Sequence, residues 1–432
     1  MAINPGSKYK SVFGAEIEIV RLLGEGGQGY VYEIKYNGEP KALKLYKPQA
    51  LKDPKAFYKN VKSNIEKGSP SDAFLWPQDL LPPDGKTFGY VMDLRPSGYE
   101  ELTCFLTARV RFDSYKVLIK AALEIIAAFR ILHNKGYSYQ DLNDGNFFIN
   151  PKTGQVLICD NDHVAPNGVH TGILGKPRYM APEIVCGRNM PNTASDRFSL
   201  AVILFLMMTN THPLEGRRYL KNPLTPQDEA VLYGTEPIFI LDPADDRNRP
   251  VAEHHKNIGM IWPQFPQYMK DMFLRAFSKE VMTNPGTRVS EAEWQKVLIR
   301  FSGDIIGCDR CGAETFLADH DSKMVCSSRK CGRPFPAFRK LELRNGQTEV
   351  ILSQNTIIYR QHFGTANVDQ AGNAILRVVK GSRGLLLQNI SDQILRCDTP
   401  SGQKREVKPN DAMPVVPGIR IRYANYEAVI KE

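Results

Sequence analysis

Residues 22–46 read LLGEGGQGYVYEIKYNGEPKALKLY. A glycine-rich turn at residues 24–29 interrupts two stretches of alternating polar and apolar residues, and Asn37-Gly38 marks a second turn. This alternation predicts antiparallel strands joined by hairpins. The first turn fits the pattern G-x-G-x-x-G-x-V, in which backbone N–H groups can approach phosphate oxygens because glycine has no Cβ. A strand rather than a helix follows this turn, which argues against a dinucleotide-binding fold.

The strand after the second turn carries two different side chains on one face. Residues two apart on a strand share a face, so Ala42 and Lys44 are both predicted to point beneath the glycine turn. We expect Ala42 to line an adenine pocket with Val31, and Lys44 to bind phosphate groups. The alternative, a lysine that is merely solvated on a strand, suits Lys41 better.

The overall composition is that of an ordinary globular protein. The chain has 432 residues, of which 42% are hydrophobic and 24% charged, and this length predicts two or three domains. The longest apolar run, residues 198–208, is too short to cross a bilayer and predicts a buried helix. The first residues lack the features of a secretory signal, so we expect a cytoplasmic protein. The net charge of +9 is spread along the chain, which does not favour a nucleic-acid partner.

Three polar side chains follow the predicted strands and a long predicted helix. Apolar residues recur with a helical period between residues 113 and 132, and two short strands follow before residue 160. Asp141 and Asn146 lie before these strands and Asp160 lies directly after them. Magnesium prefers hard oxygen ligands, so Asn146 and Asp160 are predicted to bind Mg²⁺. Asp141 is left to accept or orient the proton of an attacking hydroxyl.

The order of these motifs resembles that of the eukaryotic-type protein kinase family over about residues 14–300. The resemblance also includes Ala181-Pro182-Glu183, Ser195-Asp196 and a late Arg288. It implies a bilobal α+β protein-kinase fold at residues 1–300, with one lobe up to about residue 94 and the other at about 95–300. It further implies that ATP and Mg²⁺ are used to phosphorylate a protein, with Ser/Thr hydroxyls as the expected targets.

The resemblance implies a role for each matching residue. Lys44 and Asp141 would be catalytic, and Glu66, on a helix predicted at residues 54–67, would pair with Lys44. Glu183 and Arg288 match a structural ion pair. Asp196 matches a residue that steadies the catalytic loop. The residues implied to contact ATP are Leu23, Gly24, Gly26, Gly29, Val31, Ala42, Lys44, Met92, Asp93, Leu94 and Phe148.

Several positions depart from the family pattern. Tyr139-Gln140 replaces the usual His-Arg, so phosphorylation of the activation loop loses its usual partner. Asn161-Asp162 replaces the usual Phe-Gly after the metal-binding aspartate. Asn143 stands where a lysine is usual, and Lys176 stands where a threonine is usual. We hypothesise that Lys176 reaches the catalytic loop and supplies the missing positive charge. A solvated lysine is the alternative.

These departures leave three interpretations of function. Lys44, Asp141, Asn146 and Asp160 are all present, which favours an active protein kinase whose control lies in its C-terminal domains. A nucleotide-binding pseudokinase that acts as a scaffold is the main alternative. A phosphotransferase acting on a small molecule is the other.

Four cysteines form a cluster after the kinase-like region. Cys308, Cys311, Cys326 and Cys331 follow the spacing C-x2-C-x14-C-x4-C. Two cysteine pairs at this spacing predict a tetrahedral Zn²⁺ site, and a zinc ribbon at residues 301–337. Two disulfides are the alternative, which a reducing compartment disfavours.

The last segment, residues 338–432, is rich in short predicted strands. They are predicted at 349–352, 356–359, 374–379, 385–388, 406–408 and 419–421. Their rhythm resembles a forkhead-associated-like β-sandwich, although the pattern with which such domains hold phosphothreonine is not recognisable. A packing or docking role is therefore preferred, and phosphopeptide binding stays open.

The order of kinase-like region, zinc ribbon and β-domain resembles that of bacterial kinases associated with tellurite resistance. The stretches at residues 89–92, 237–240 and 248–250 contribute to this resemblance. It implies a von Willebrand A-type protein and a PP2C-type phosphatase as partners.

Overall fold

The structure is a computed structural model of the chain. It describes residues 3–84, 87–221, 223–317, 325–335, 338–343, 346, 348–363 and 373–432. The chain forms two compact units. The first unit comprises residues up to 111, 128–254 and 276–289, and the second comprises 112–127, 255–275 and 290–432. The predicted domain limits near residues 300 and 337 stay predictions.

The first unit begins with a six-stranded antiparallel sheet in the order β1-β2-β3-β4-β6-β5. Its strands are β1 Lys8–Lys10, β2 Glu16–Glu25, β3 Gly29–Tyr36, β4 Glu39–Tyr46, β5 Asp79–Asp84 and β6 Thr87–Met92. Strand β4 alternates between the two faces of this sheet. Leu43 and Leu45 pack on one face with Ile19 and Ile34, and Ala42 and Tyr46 pack on the other. Lys44 therefore lies on the face of Ala42, as the spacing predicts.

Helix α1, Pro54–Lys67, packs against that second face. Asp53 caps its start by accepting a hydrogen bond from the Ala56 backbone N–H at 3.0 Å. Gly68 ends it with a φ of +78°, a conformation that glycine adopts without strain. Phe57 and Val61 are buried against the sheet, so burial of one helix face fixes the orientation of α1.

Helices and short strands follow the sheet. The strands are β7 Glu100–Glu101, β8 Tyr137–Ser138, β9 Phe147–Ile149, β10 Val156–Ile158 and β11 Ala165–Pro166. The α-helices are α2 Leu102–Leu106, α3 Tyr115–Asn134, α4 Pro182–Val185, α5 Thr193–Thr209, α6 Pro226–Ala230, α7 Lys256–Ile261, α8 Gln267–Ala276, α9 Lys279–Thr283 and α10 Glu291–Gly303. A π-helical turn at Val231–Thr235 and 3₁₀ turns at Asp144–Asn146, Asn161–His163, Arg217–Leu220, Trp262–Gln264 and Pro285–Thr287 connect them. The prediction of mixed helix and strand is confirmed.

Helix α5 contains the longest apolar run of the chain. Its residues are buried on every side, which is the behaviour of a helix in the interior of a globular unit. Asn192 begins it with a capping box, because its side chain accepts from the Ser195 N–H while the Ser195 hydroxyl accepts from the Asn192 N–H. Among the described residues, no helix combines the length and apolarity that a bilayer crossing needs.

In the second unit, a short β-hairpin packs against a cluster of aromatic side chains. Strands β12 Ile305–Gly307 and β13 Glu314–Phe316 pair antiparallel. The ring of Phe316 lies 4.7 Å from that of Tyr115 and 5.1 Å from that of Phe301. These contacts fix the hairpin against the first half of α3 and the end of α10, within the same unit.

Two antiparallel sheets form the C-terminal part of the second unit. Their strands are β14 Lys340–Leu343, β15 Thr348–Ile351, β16 Ile357–Tyr359, β17 Ala374–Gly381, β18 Gly384–Asn389, β19 Leu395–Asp398, β20 Lys404–Val407, β21 Ala412–Pro414, β22 Arg420–Tyr423 and β23 Tyr426–Lys431, with helix α11 at Arg360–Phe363. One sheet has the order β15-β14-β23-β22-β19-β20 and the other β16-β17-β18-β21. Residues of both, such as Leu341, Ile421, Leu376 and Leu387, share one hydrophobic core. The forkhead-associated-like identity of this region stays a prediction.

Candidate active site

Lys44 on β4 is a buried cation with two carboxylate partners. Its Nζ lies 3.0 Å from Asp162 Oδ2 and 3.1 Å from Asp160 Oδ1. Burial alone would lower the pKa of Lys44, but the two carboxylates outweigh it and raise the pKa above its ordinary value. Lys44 is therefore held as an ammonium group in the interior.

Asp162 is the more deeply buried of these partners. Besides Lys44, it accepts hydrogen bonds from the hydroxyl of Tyr46 and, at 3.4 Å, from that of Tyr90. Burial would raise the pKa of Asp162, but His163, Lys44 and the Tyr46 hydroxyl lower it to about 2. Sequence reasoning missed this residue. The sequence contains one signal for Asp162, because a carboxylate stands there at a position where glycine is usual. Its partners Lys44 and Tyr46 lie on one face of β4.

Glu66, the predicted partner of Lys44, lies elsewhere. It is exposed on α1 and forms no ion pair with any described residue. The reason is helical geometry, because at about 100° per residue Glu66 lies about 200° around the helix from the buried Asn64. The predicted pair of Glu66 and Lys44 is therefore wrong for this structure.

Two asparagines of α1 make the contacts that join the helix to the site. The side-chain amides of Asn60 and Asn64 donate to the carbonyl oxygen of Val164 at 2.9 and 2.7 Å. Asn60 also lies 3.4 Å from the carbonyl oxygen of Asp162. Helix α1 thus binds the backbone of residues 162–164 through neutral hydrogen bonds, rather than through a carboxylate.

Asp196, at the start of α5, holds the loop that carries Asp141. Its carboxylate accepts hydrogen bonds from the backbone N–H groups of Tyr139 at 2.6 Å and Gln140 at 3.1 Å. His133 lies 3.1 Å from the same carboxylate. The hydroxyl of Tyr139 in turn donates to the carbonyl oxygen of Cys159. These bonds tie the loop at residues 139–141 to the segment that precedes Asp160.

Asp141, Asn146 and Asp160 come together as the sequence predicts. The Asn146 amide donates to the Asp141 carbonyl oxygen at 2.7 Å, and the Asn146 carbonyl oxygen accepts from the Cys159 N–H at 2.9 Å. Burial raises the pKa of Asp141, although His163, 3.9 Å away, opposes the shift. Asp160 has a φ of +54°, an uncommon conformation for a residue with a Cβ. This backbone turn places its carboxylate beside Lys44.

The replaced positions near Asp160 and Asp141 are anchored by neutral hydrogen bonds. The Asn161 amide is buried and donates to the carbonyl oxygens of Leu75 at 2.9 Å and Ile158 at 2.8 Å. Gln140 donates to the Val169 carbonyl oxygen at 2.6 Å and accepts from the Thr171 hydroxyl at 3.2 Å. Residues 169–171 are therefore bound to the loop of Asp141 without a phosphate group.

Lys176 reaches the same loop. Its Nζ donates to Asn143 Oδ1 at 2.9 Å, and the Asn143 amide lies 3.3 Å from Asp141 Oδ1. Lys176 is exposed and Asn143 is buried, so the ammonium group covers the loop from the solvent side. Lys176 also opposes the upward shift of the Asp141 pKa that burial causes.

The glycine turn approaches β4 closely at one position. A Cβ on Gly29 would lie 2.2 Å from the Leu45 carbonyl oxygen, so only glycine fits there. Beside it, Gln28 extends into the site. Its Oε1 accepts from Lys44 at 3.3 Å and its amide lies 3.2 Å from His163 Nε2. Sequence reasoning missed Gln28, which occupies an unspecified position of the glycine pattern.

The predicted adenine-lining residues are brought together only in part. Ala42 and Met92 are buried opposite each other on β4 and β6, and Val31 and Leu94 pack against the same cluster. The other predicted contacts with ATP stay predictions. Leu23 is exposed, Gly24 and Gly26 lie at the exposed glycine turn, the Asp93 carboxylate binds Lys41 and Gln78, and the ring of Phe148 lies under the guanidinium of Arg95.

Glu183 and Arg288 form the predicted ion pair. The guanidinium donates to both carboxylate oxygens, at 2.8 and 2.5 Å, and to the Ala194 carbonyl oxygen at 2.9 Å. A bidentate pair of this kind is both strong and geometrically specific. It joins the start of α4 to the start of α5.

Four sulfur atoms in the second unit form a compact group. The Sγ atoms of Cys308, Cys311, Cys326 and Cys331 all lie within 4.8 Å of one another. Cys308 and Cys331 are 3.8 Å apart and Cys311 and Cys326 are 3.4 Å apart, too far for disulfides. Metal–sulfur bonds of about 2.3 Å in a tetrahedron place sulfurs about 3.8 Å apart. The cluster therefore fits a four-coordinate metal ion.

Comparison with known proteins identifies the region that contains Lys44 and Asp141. The sequence profile described as "Protein kinase domain" matches residues 17–227. The chain carries a protein kinase domain. Kinase domains imply the use of ATP, Mg²⁺ and a protein substrate, so these coarser predictions are supported.

The relatives of the kinase domain include bacterial and eukaryotic protein kinases. Protein kinase YegI of Escherichia coli O157:H7 is 28% identical over 45% of this chain and 32% of its own length. Serine/threonine-protein kinase pkn3 of Myxococcus xanthus is 25% identical over 63% of this chain and 47% of its own length. The crystal structure of the PknI kinase domain from Mycobacterium tuberculosis has 17% identity and a TM-score of 0.45, covering 69% of this chain and 99% of that one. The chain spans only 19–32% of the first curated relatives that it matches.

The contacts of Lys44 lead us to expect that two substitutions differ in their effect on the stability of the kinase domain. Asp162→Asn removes a buried charge partner, so it is expected to lower the free energy of unfolding by about 2 to 4 kcal/mol. Glu66→Gln changes an exposed group and is expected to lower it by less than about 0.5 kcal/mol. Scanning calorimetry of the full chain measures both. Equal losses for the two variants would contradict the assignment of Asp162 as the partner of Lys44.

Proposed function

We propose that this chain is an ATP- and magnesium-dependent protein kinase directed to serine or threonine hydroxyls. The observation that carries the proposal is the convergence of Asp141, Asn146 and Asp160 beside the ammonium group of Lys44. Relatives that are themselves serine/threonine kinases support the choice of hydroxyl.

We propose a separate role for each side chain from the contacts that it makes. Asn146 uses its amide on the Asp141 backbone, which leaves its side-chain oxygen for Mg²⁺, and Asp160 offers a second oxygen. When bound, Mg²⁺ would neutralise phosphate charge. Lys44 and the backbone of the glycine turn would position the phosphates. Asp141 would orient the attacking hydroxyl and accept its proton.

Asp162 pairs with Lys44, which is the role that the resemblance implies for a helix glutamate. It would keep the Lys44 ammonium group charged and oriented through their direct contact. We therefore propose that Asp162 is a positioning residue, and that Glu66 has no catalytic role.

The activity prediction concerns Asp141. The full chain incubated with Mg²⁺ and ATP labelled at the γ-phosphate is expected to transfer label to itself or to a generic protein substrate. Asp141→Asn is expected to lower the transfer rate by about 10²- to 10⁴-fold, because it removes the proton acceptor. Nucleotide binding, measured by calorimetry, should persist in the variant.

Two other outcomes of this assay separate the alternatives. ATP binding without any transfer by the wild-type chain would favour a nucleotide-binding scaffold. Label that appears only on added small-molecule hydroxyl compounds would favour a small-molecule phosphotransferase. Either outcome would refute the proposed protein kinase activity.

We further propose that Lys176 supplies the positive charge at the transferred phosphate that a lysine at position 143 usually supplies. The contact between Lys176 and Asn143 supports this proposal. It explains two departures from the family pattern as one exchange of charge between neighbouring positions.

The Lys176 prediction is a rescue experiment. Lys176→Met is expected to lower turnover at least about tenfold, since one donor to the developing charge is lost. Adding Asn143→Lys in the same chain should restore much of the turnover. Lys152→Met, at an exposed turn, serves as the control and should have no effect. Full turnover of Lys176→Met at an unchanged melting temperature would show that Lys176 is only a solvated lysine.

We propose that the four-cysteine cluster is a structural Zn²⁺ site within a zinc ribbon. Four protein thiolates leave no open coordination position, which is typical of structural rather than catalytic zinc. Gly312 and Gly332, each after a cysteine, have φ values of +74° and +53° and close the turns that bring the sulfurs together.

The zinc prediction compares two cysteines. The purified chain is expected to contain one zinc per molecule by elemental analysis. Cys308→Ser should lose it and destabilise the second unit by about 4 kcal/mol or more. Cys104→Ser lies outside the cluster and should keep the zinc. Retention of stoichiometric zinc by Cys308→Ser would contradict the proposed site.

The remaining proposals depend on the family resemblance. We propose that the β-rich segment at residues 338–432 is a forkhead-associated-like docking domain, and that control of the kinase lies in the C-terminal part of the chain. A von Willebrand A-type protein and a PP2C-type phosphatase are the proposed partners, in the cytoplasm. A link to tellurite resistance is proposed on the same ground.

A further inference from the structure

The second unit contains a cavity of about 750 Å³ that the proposed kinase reaction does not use. Its wall is formed by the start of α3, the turn around Cys308 to Gly312, and residues of the β-rich segment from Phe335 to Val415. This volume lies within the range of pockets for small molecules, which is about 300 to 1,000 Å³.

Lys116 is the half-buried cation of this cavity. Its Nζ lies 3.1 Å from the Gln354 carbonyl oxygen, 3.4 Å from the Thr356 hydroxyl and 3.5 Å from the Ser353 hydroxyl. All three partners are neutral. Burial lowers the pKa of Lys116 to about 8, because the opposing effect of Glu314 is smaller. The Lys116 ammonium group is thus partly buried with only neutral hydrogen-bond partners among the described residues, whereas a buried charge is usually paired with an opposite charge.

The carboxylates near the cavity are largely engaged elsewhere. Glu314 accepts hydrogen bonds from the backbone N–H groups of Tyr115 and, at 3.3 Å, Lys116, and so caps the start of α3. Asp309 forms an ion pair with Arg333 at 2.9 Å. Asp113 is exposed at the rim. The acids of the wall therefore do not neutralise Lys116.

Two further cations line the same cavity. Arg339 donates to the Val415 carbonyl oxygen, and Lys380 is exposed at the end of β17. Neither forms an ion pair with a carboxylate in the described parts of the chain. Three positive groups thus converge on one space, and a ligand with about two negative charges would balance them better than a single carboxylate.

One side of the wall is apolar. The rings of Phe335 and Phe338 are 5.7 Å apart and belong to one hydrophobic cluster. Leu352, Leu385 and Val415 complete this side of the cavity. A ligand that fills the cavity would therefore combine an anionic group with an apolar or aromatic body.

We propose that this cavity binds a small phosphorylated molecule with an aromatic or apolar body. The phosphate group would lie against Lys116, Arg339 and Lys380, and the Ser353 hydroxyl, which lines the same cavity, would donate to it. The body of the ligand would pack on Phe335 and Phe338. The proposal does not depend on kinase activity.

Calorimetric titration of the full chain tests the proposal with two probes, inorganic pyrophosphate and adenosine monophosphate. Both are expected to bind the wild-type chain, and Lys116→Met should weaken binding of each by about tenfold or more. Lys120→Met removes the same charge from the same helix, four residues further along. It should leave binding unchanged.

Two other variants identify the site. Lys380→Met changes an exposed side chain that forms no ion pair among the described residues, so this variant should fold and show weakened binding even if Lys116→Met fails to fold. Lys44→Met removes the phosphate-binding lysine of the kinase domain and should leave cavity binding intact. Absence of binding to the wild-type chain, equal effects of Lys116→Met and Lys120→Met, or binding lost in Lys44→Met but kept in Lys380→Met would each overturn the proposal.

Discussion

The buried ion pair of Lys44 with Asp162 is the constraint around which the kinase domain is arranged. A lysine and an aspartate in the interior each need a compensating charge and hydrogen bonds. Lys44 supplies the charge for Asp162, and the hydroxyls of Tyr46 and Tyr90 satisfy its remaining lone pairs. Because Tyr46 and Tyr90 lie on two strands of the sheet, the segment of Asp162 is fixed to the sheet at several points. Asp160 is thereby brought beside the same ammonium group.

At the positions around this ion pair, neutral side-chain amides form the hydrogen bonds that hold the site together. Helix α1 binds the segment through amides of Asn60 and Asn64, and Asn161 binds the backbone of Leu75. Gln140 holds residues 169–171 in the same manner. Amides do not change charge with pH in the physiological range, so these particular hydrogen bonds do not depend on a titrating group. The contacts that hold residues 169–171 to the loop of Asp141 therefore need no phosphate group.

The second unit depends on a different local constraint, the turn between two cysteines. Cys308 and Cys311 close this turn, and three residues later Glu314 caps the start of α3. A metal ion that holds the sulfurs would therefore also hold the carboxylate that the helix start requires. Because the Glu314 carboxylate accepts hydrogen bonds from the backbone at the start of α3, it forms no ion pair with the Lys116 ammonium group, which faces the cavity. One hairpin thus contributes to three features: two of the four clustered cysteines, the cap of helix α3 and part of the cavity wall.

The difference between what the sequence predicted and what it missed follows from the range of each interaction. The strands around the glycine turn, helix α1 and the cysteine spacing depend on neighbours in sequence, and periodicity predicts them. Strands β14 and β23 were missed, because their pairing joins Leu341 to Ile430 across the whole segment. Asp162 was missed for the same reason, since its partners are 72 to 118 residues away. A resemblance to a family supplied Glu66 instead, but only packing decides which carboxylate a buried lysine meets. A carboxylate at a position where glycine is usual should therefore be compared with the side chains that face it from neighbouring strands.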